Sequence, residues 1–192
     1  MTEVERLPSY LEPLAGFKPA KAAQLCAYLS LKSRGCIEKL KLIKLIYFCE
    51  RAFLSKYSET ILWDELYSLP HGPICSATLN CIDGVIALDV CRNYISKNGN
   101  LIYPTRVFTK DDLDELSEAE FEVADAVWHQ LGRKSASQLR NHSHAVCPEY
   151  TEVDRGRVPI SYEAVLEAVG RQDAVQVAAE LEMHRRIVAQ FS

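Results

Sequence analysis

Between Cys36 and Ser58 apolar residues recur at helical spacing with no Gly and no Pro. Leu42, Leu45, Ile46, Cys49, Ala52 and Phe53 share one face, and Leu40, Ile43, Tyr47, Phe48 and Leu54 widen it. Lys39, Lys41, Lys44, Glu50 and Arg51 make up a narrow polar side, whose lysines are expected to reach outward into water. A helix apolar over most of its circumference needs cover from several neighbours. The segment is therefore expected to be the central core helix.

The flanking pattern predicts further elements. Pro19 suits the first turn of a helix running through the small residues Ala23, Cys26 and Ala27 to Leu31, with Gly35 as its C-terminal cap. Before it, Tyr10, Leu11, Leu14 and Phe17 are expected to pack loosely on the body. Ile61–Leu69 reads as a short strand or extended arm whose alternation is broken by Asp64 and Glu65. Pro70-His71-Gly72-Pro73 is expected to stop regular structure in a stiff turn, with Pro73 opening a helix to about Val90 that Gly84 weakens or divides. Asn98-Gly99, between Tyr94–Lys97 and Asn100–Tyr103, predicts a type I′ hairpin.

Thr109 with Asp112, Ser117 with Glu120, and Ser135 with Gln138 each carry capping-box spacing. The second should open a helix through Phe121, Val127 and Leu131 that ends at Gly132. The third should open a short helix to Arg140, followed by Asn141–His144 outside it. Tyr162–Val169 and Gln172–Phe191 read as closing helices, the last amphipathic through Val175, Val177, Ala178, Leu181, Ile187 and Val188. The expected fold is mainly α within the α+β class: a compact helical domain around the central apolar helix, with a small antiparallel β-sheet or hairpin.

Composition narrows the function classes. The chain has 192 residues, enough for one domain with a substantial core. A formal net charge of -4 gives no general nucleic-acid footprint, so a nucleic-acid partner is not expected. Seven cysteines, an odd number without a C-x-x-C pair, suggest reduced thiols and a cytoplasmic setting. No run approaches the length of a membrane span, and the first residues lack a signal-peptide core.

Candidate chemistry is sparse. His71 has the right ionisation range for an acid or base, with Asp64, Glu65 or His144 as conceivable assistants. The competing reading is a histidine that locks a strained turn, and no nucleophile stands at a recognised spacing. His142 and His144 would share a face if that stretch were a strand, and Cys147 follows. They match no familiar zinc spacing, so neither a metal nor another cofactor is expected. Eight acids between Asp111 and Asp125 fit either a basic partner or a solvated face favouring helix N-termini.

Two motifs in order resemble the Panacea domain, the SocA-like antitoxin family often described as phage-associated protein. The first is Lys41-Leu42-Ile43-Lys44-Leu45-Ile46-Tyr47-Phe48 and the second is His71-Gly72-Pro73-Ile74. Between them Glu65, Leu66, Tyr67 and Leu69 fill an extended acidic and aromatic piece. Later, Leu139 with Ser143-His144 and then Pro159-Ile160 fit the family's closing pattern. The likeness spans about residues 19–170, after a lead-in of 1–18 and before a C-terminal helix of 171–192.

What the resemblance implies is protein binding without catalysis. The chain would be the antitoxin of a type II toxin-antitoxin system that neutralises a toxin encoded nearby. The alternative is a proteolytic adaptor that hands the toxin to a AAA+ protease, with a histidine-dependent hydrolase as a third option. Self-association is left open. Lys41, Leu42, Lys44, Leu45, Tyr47, Phe48, His71, Gly72, Pro73 and His144 would set the scaffold. Trp63, Glu65, Tyr67 and Tyr103 are the candidate partner-binding residues, each with a core role as the other option.

Overall fold

The computed structural model describes residues 15–191, so the packing expected of Tyr10, Leu11 and Leu14, and most of the lead-in, lie outside the described residues. Helix α1 (Pro19–Lys32) presents Ala22, Ala23, Cys26 and Ala27 to the interior. Its cap residue is Ser33, and the Gly35 N–H donates to the Ser30 carbonyl just beyond. The central helix α2 (Lys39–Tyr57) buries Leu42, Leu45, Ile46, Tyr47, Cys49 and Leu54 completely. It starts three residues later than its apolar pattern suggests. Ile37 and Glu38 form instead a strand, β1 (Ile37–Glu38), which pairs Ile37 with Ile102 of the hairpin.

After α2, strands β2 (Leu66–Leu69) and β3 (Gly72–Cys75) form an antiparallel hairpin that closes between Leu69 and Gly72. This corrects the expectation that Pro73 ends regular structure and opens a helix. Pro73 sits inside β3 opposite Ser68, and β3 is an edge strand of its sheet, where a missing N–H is tolerated. The helix that follows, α3 (Ser76–Ile82), is short. The chain then turns through Gly84 and Ala87 (φ 46) into a single-turn helix α4 (Leu88–Cys91), so the long helix to Val90 is two pieces.

The second hairpin joins β4 (Ile95–Asn98) to β5 (Leu101–Pro104), with Asn98 opposite Leu101. The two linking residues are therefore Gly99 and Asn100. Only Gly99 has positive φ (58), the φ pattern of a type II′ turn rather than the expected I′. Two three-stranded antiparallel sheets result, ordered β1-β5-β4 and β3-β2-β6, the latter completed by β6 (Val158–Ile160). The fold is mainly helical within the α+β class, and the described residues contain two sheets where one was expected.

Capping boxes at Ser117/Glu120 and Ser135/Gln138 open α5 (Glu118–Leu131) and α6 (Ala136–Val146). Thr109 and Asp112 also exchange their box hydrogen bonds, but these close a turn, not a helix. Helix α6 does not stop at Arg140. Nothing there breaks it, and it runs on until Pro148 stands two residues past its end. The chain closes with α7 (Tyr162–Ala168), capped by Ser161, and α8 (Ala174–Phe191), which packs on α7. Helices α1, α5, α6 and α7 together with β3 cover α2.

Much of the acidic stretch serves this core. Glu120 pairs with Lys21 at 2.7 Å in a buried site, Asp125 accepts from Tyr28, and Asp114 accepts from Gln24. All seven cysteines are free thiols and six are buried. Among the described residues, no helix is long and apolar enough to cross a membrane.

Candidate functional site

Three ionisable side chains lie inside the protein where α2 meets the segment 60–78. Lys44 and Glu50 have no solvent exposure, and Asp64 has almost none. This corrects the expectation that Lys44 reaches outward into water, and Glu50, from the same polar side, is inside as well. They point inward because the adjoining backbone is irregular and needs partners. The Glu50 carboxylate accepts from Thr60 Oγ1 (2.9 Å), the Ile61 N–H (3.0 Å) and the Leu62 N–H (2.6 Å). It thereby holds the loop that carries Trp63 in a left-handed conformation (φ 56), a strained state for a bulky residue. The Asp64 carboxylate accepts from the N–H groups of Glu65, Ala77 and Thr78 and from Thr78 Oγ1 (2.6 Å), tying β2 to the first turn of α3.

Burial disfavours the charged form of each group. It pushes Glu50 up to about 7 and Asp64 up to about 6, against their hydrogen bonds, which pull both down. Burial likewise brings Lys44 down to about 7. Lys44 Nζ donates to the Pro73 carbonyl at 2.7 Å, so the two motifs of the sequence meet through one hydrogen bond. Gly72 makes this meeting possible. Its φ is +93, and a Cβ there would stand 2.7 Å from Ser143 Oγ, 2.9 Å from Lys44 Nζ and 3.1 Å from His144 Cδ2. Only glycine fits both the backbone and the space.

His71 is exposed at the tip of the β2–β3 hairpin. Asp64 does not orient it, since that carboxylate is occupied by α3. His144 stands on α6 with its ring 4.5 Å from that of Tyr150, whose hydroxyl donates to the Leu69 carbonyl. His142, two positions earlier on the same helix, points to a different side and packs on Phe48. Cys147 is buried. The expected shared face of His142 and His144 thus fails because the segment is helix, not strand. Among the described residues, no group of three or more His, Cys, Asp or Glu is placed to hold a metal ion.

The remaining motif residues are anchors. Tyr47 donates to Glu149 Oε1 (2.8 Å), and Arg51 Nε donates to the same oxygen (2.7 Å). Lys41 donates to the Gly132 carbonyl (2.6 Å) and lies over the Trp128 ring. Leu42 and Leu45 are core, and Phe48 is nearly so. Glu50, Asp64 and Arg51 escaped the sequence reading as structural groups. The available signal was an acid inside an apolar run, which demands an internal partner.

The four candidate partner-binding residues separate. Trp63 is buried and packs against the tilted ring of His184 of α8 (4.6 Å). Tyr103 lies half-buried on β5, in the other sheet. Glu65 and Tyr67 come together on one wall of a groove of about 760 Å³ whose other walls include Pro159, Val175 and Met183. Tyr67 donates to Glu65 and lies under the Arg157 guanidinium (4.4 Å). On α8, Val175, Ala179, Met183, Ile187 and Phe191 follow at four-residue steps and are all exposed, so Val175 and Ile187 are not the inward face expected of them. The inward face is Ala174, Val177 and Leu181, and Arg185 reaches in to the carbonyls of Trp63 and Asp64.

Comparison with known families finds that the model of the Panacea domain of SocA-like antitoxins matches residues 42–149. No curated protein and no solved structure matches the chain.

Proposed function

The chain belongs to the SocA-like antitoxin family with its Panacea domain, and from that premise we propose that it binds and neutralises a cognate protein toxin of a type II system, encoded nearby. The observation that carries this reading is how the buried ionisable side chains are used. Glu50 and Asp64 are engaged by several backbone N–H groups and hydroxyls, and Lys44 by the Pro73 carbonyl, all inside the fold, which is the pattern of a frame and not of a reaction centre. Apolar surface is presented instead on α8 and in the groove beside it, where Met183 and Val175 stand with Tyr67 and the charged rim of Glu65, Glu182 and Arg186. An aromatic and methionine centre with a polar rim is the composition of a protein-docking surface.

The toxin is taken by that groove, with Tyr67 and Met183 as its anchors. Co-expression with the product of the adjacent reading frame tests it. Growth is restored and the two proteins co-purify, while Met183→Asp or Tyr67→Ala abolishes both without unfolding the chain. Failure of the unaltered chain to rescue growth would remove the reading. A toxin that stays active in the purified complex, but is degraded faster in cells with the chain present, would assign the adaptor role in place of direct inhibition.

A further inference from the structure

Where α3 gives way to α4, the chain doubles back through Gly84 (φ 74) and Ala87 (φ 46). Both have left-handed backbone, which strains Ala87 but not Gly84. The reversal brings Cys81, one residue before the end of α3, against Cys91, the last residue of α4. Their side chains hydrogen-bond to each other, sulfur to sulfur. The backbone holds both in place. The Cys81 carbonyl accepts from the Gly84 N–H, the Cys91 N–H donates to the Ala87 carbonyl, and the Cys91 carbonyl accepts from the Tyr94 N–H, each at 3.0 Å.

Packing alone does not ask for two thiols here. A free cysteine in a core acts as a small hydrophobe, and its reactivity is what sets it apart from other small side chains. Burial pushes the thiols of Cys26, Cys49, Cys75 and Cys147 up, as expected of inert core cysteines. Cys91 differs from them. Its hydrogen bond with Cys81 pulls its thiol down, and the same bond raises Cys81. One sulfur of the pair is therefore the better nucleophile, and the other stands in contact with it as a proton-bearing neighbour. The cover over the pair is thin. Cys81 is 3 % and Cys91 2 % exposed, and the segment between them has Asp83, Val85 and Asp89 in water. Opening a short exposed segment of this kind costs far less than unfolding the core.

We propose that Cys81 and Cys91 form a redox site, oxidised by hydrogen peroxide to a disulfide and restored by a thiol reductant. The Cys91 sulfur attacks a peroxide oxygen. The O–O bond breaks, the Cys91 proton leaves with the departing oxygen as water, and Cys91 becomes a sulfenic acid. The Cys81 sulfur then attacks the Cys91 sulfur. The S–O bond breaks, and the Cys81 proton leaves with the hydroxyl as a second water. Peroxide gains two electrons, and the two sulfurs lose them in forming one S–S bond. Bonded sulfurs stand about 2 Å apart, so the remaining approach falls to the side-chain torsions and to the turn at Gly84 and Ala87. A dithiol reverses the step by exchange and becomes a disulfide itself. Where thiols are otherwise reduced, such disulfides are transient and serve sensing.

The test reads thiols and not toxin neutralisation, so its result stands apart from the antitoxin reading. The full chain is treated with hydrogen peroxide while folded, then unfolded, and its remaining thiols are alkylated and mapped by mass spectrometry. Two of the seven thiols are lost to alkylation, the peptides of Cys81 and Cys91 are joined, and dithiothreitol restores both. Cys81→Ser halts the reaction at the Cys91 sulfenic acid, which dimedone traps. Cys91→Ala removes the joined peptide and serves where the first variant fails to fold, while Cys26→Ala leaves the joined peptide in place. A disulfide that forms only in denaturant, one that joins Cys26 or two chains, or seven alkylated thiols after treatment overturns the site.

Discussion

Around β2 charged side chains are buried and hydrogen-bonded, whereas along α8 apolar side chains stand in water. Glu50 is 0 % exposed while Met183 is 59 % exposed, a reversal of the usual distribution at both places. The two departures have different causes. Glu50 and Asp64 accept from N–H groups of a loop and a helix start that no ladder or helix would satisfy, so removing them leaves donors stranded. Among the described residues the exposed α8 stripe is left uncovered, and replacing it should leave the fold intact. Buried charge therefore marks what the fold requires, and exposed hydrocarbon marks what a partner can cover.

Substitutions can break this contrast. Glu50→Ala is expected to cost about 3–5 kcal/mol, because it strands the Ile61 and Leu62 N–H groups and the Thr60 hydroxyl and frees the strained Trp63 backbone. Urea unfolding measures it, and a cost near zero would make the inward acid incidental. Gly72→Ala comes next, at roughly 2–4 kcal/mol, since it combines a left-handed φ with a Cβ pressed on Ser143 and Lys44. The same unfolding experiment checks it, and Ser143→Ala should recover part of the loss by removing the nearest atom.

The pH dependence of stability sharpens the contrast further. Glu50 and Asp64 have folded pKa values raised from 4.5 to about 7 and from 3.8 to about 6, so their contribution is full in acid and is lost as pH rises through these values. Lys44 is lowered from 10.5 to about 7, so its contribution is full in base and is lost as pH falls toward 7. The three together predict a minimum of stability near pH 7, measurable by unfolding across the pH range. Glu50→Gln should flatten the acidic limb and leave the basic limb in place.

Smaller effects complete the series. Lys44→Met loses the bond to the Pro73 carbonyl but also the burial of an ammonium, and should change stability by no more than about 1 kcal/mol. Met183→Asp should change it by less than about 0.5 kcal/mol, since the side chain is exposed, while lowering affinity for the partner by about tenfold or more. A large loss of stability in Met183→Asp would erase the distinction between frame and surface.

Legibility followed the range of the interactions. The central helix was readable because its apolar surplus is local, and the caps at Ser117 and Ser135 because each box spans three residues. Strand β1 was not, because Ile37 becomes a strand residue only when Ile102 lies opposite it, 65 positions away. The continuation of α6 through His144 was missed because Asn141, His142 and Ser143 show no apolar period, although no breaker precedes Pro148. Of the candidate site, the family likeness singled out the two motifs, but their meeting through Lys44 and the Pro73 carbonyl and the inward turn of Glu50 were not readable. A charged residue reads as surface until the backbone it must satisfy is known.

Sequence alone determined a helical body around Leu42–Leu54, a turn at Pro70-His71 and the family to which the chain belongs, because periodicity, turn chemistry and motif order are local properties of the chain. Only the tertiary structure decided which charges face inward and that Glu65 and Tyr67 share a groove with Met183. Those outcomes depend on which distant backbone groups lack partners and which surfaces remain uncovered once all the helices have docked, and neither quantity exists before the chain has closed on itself.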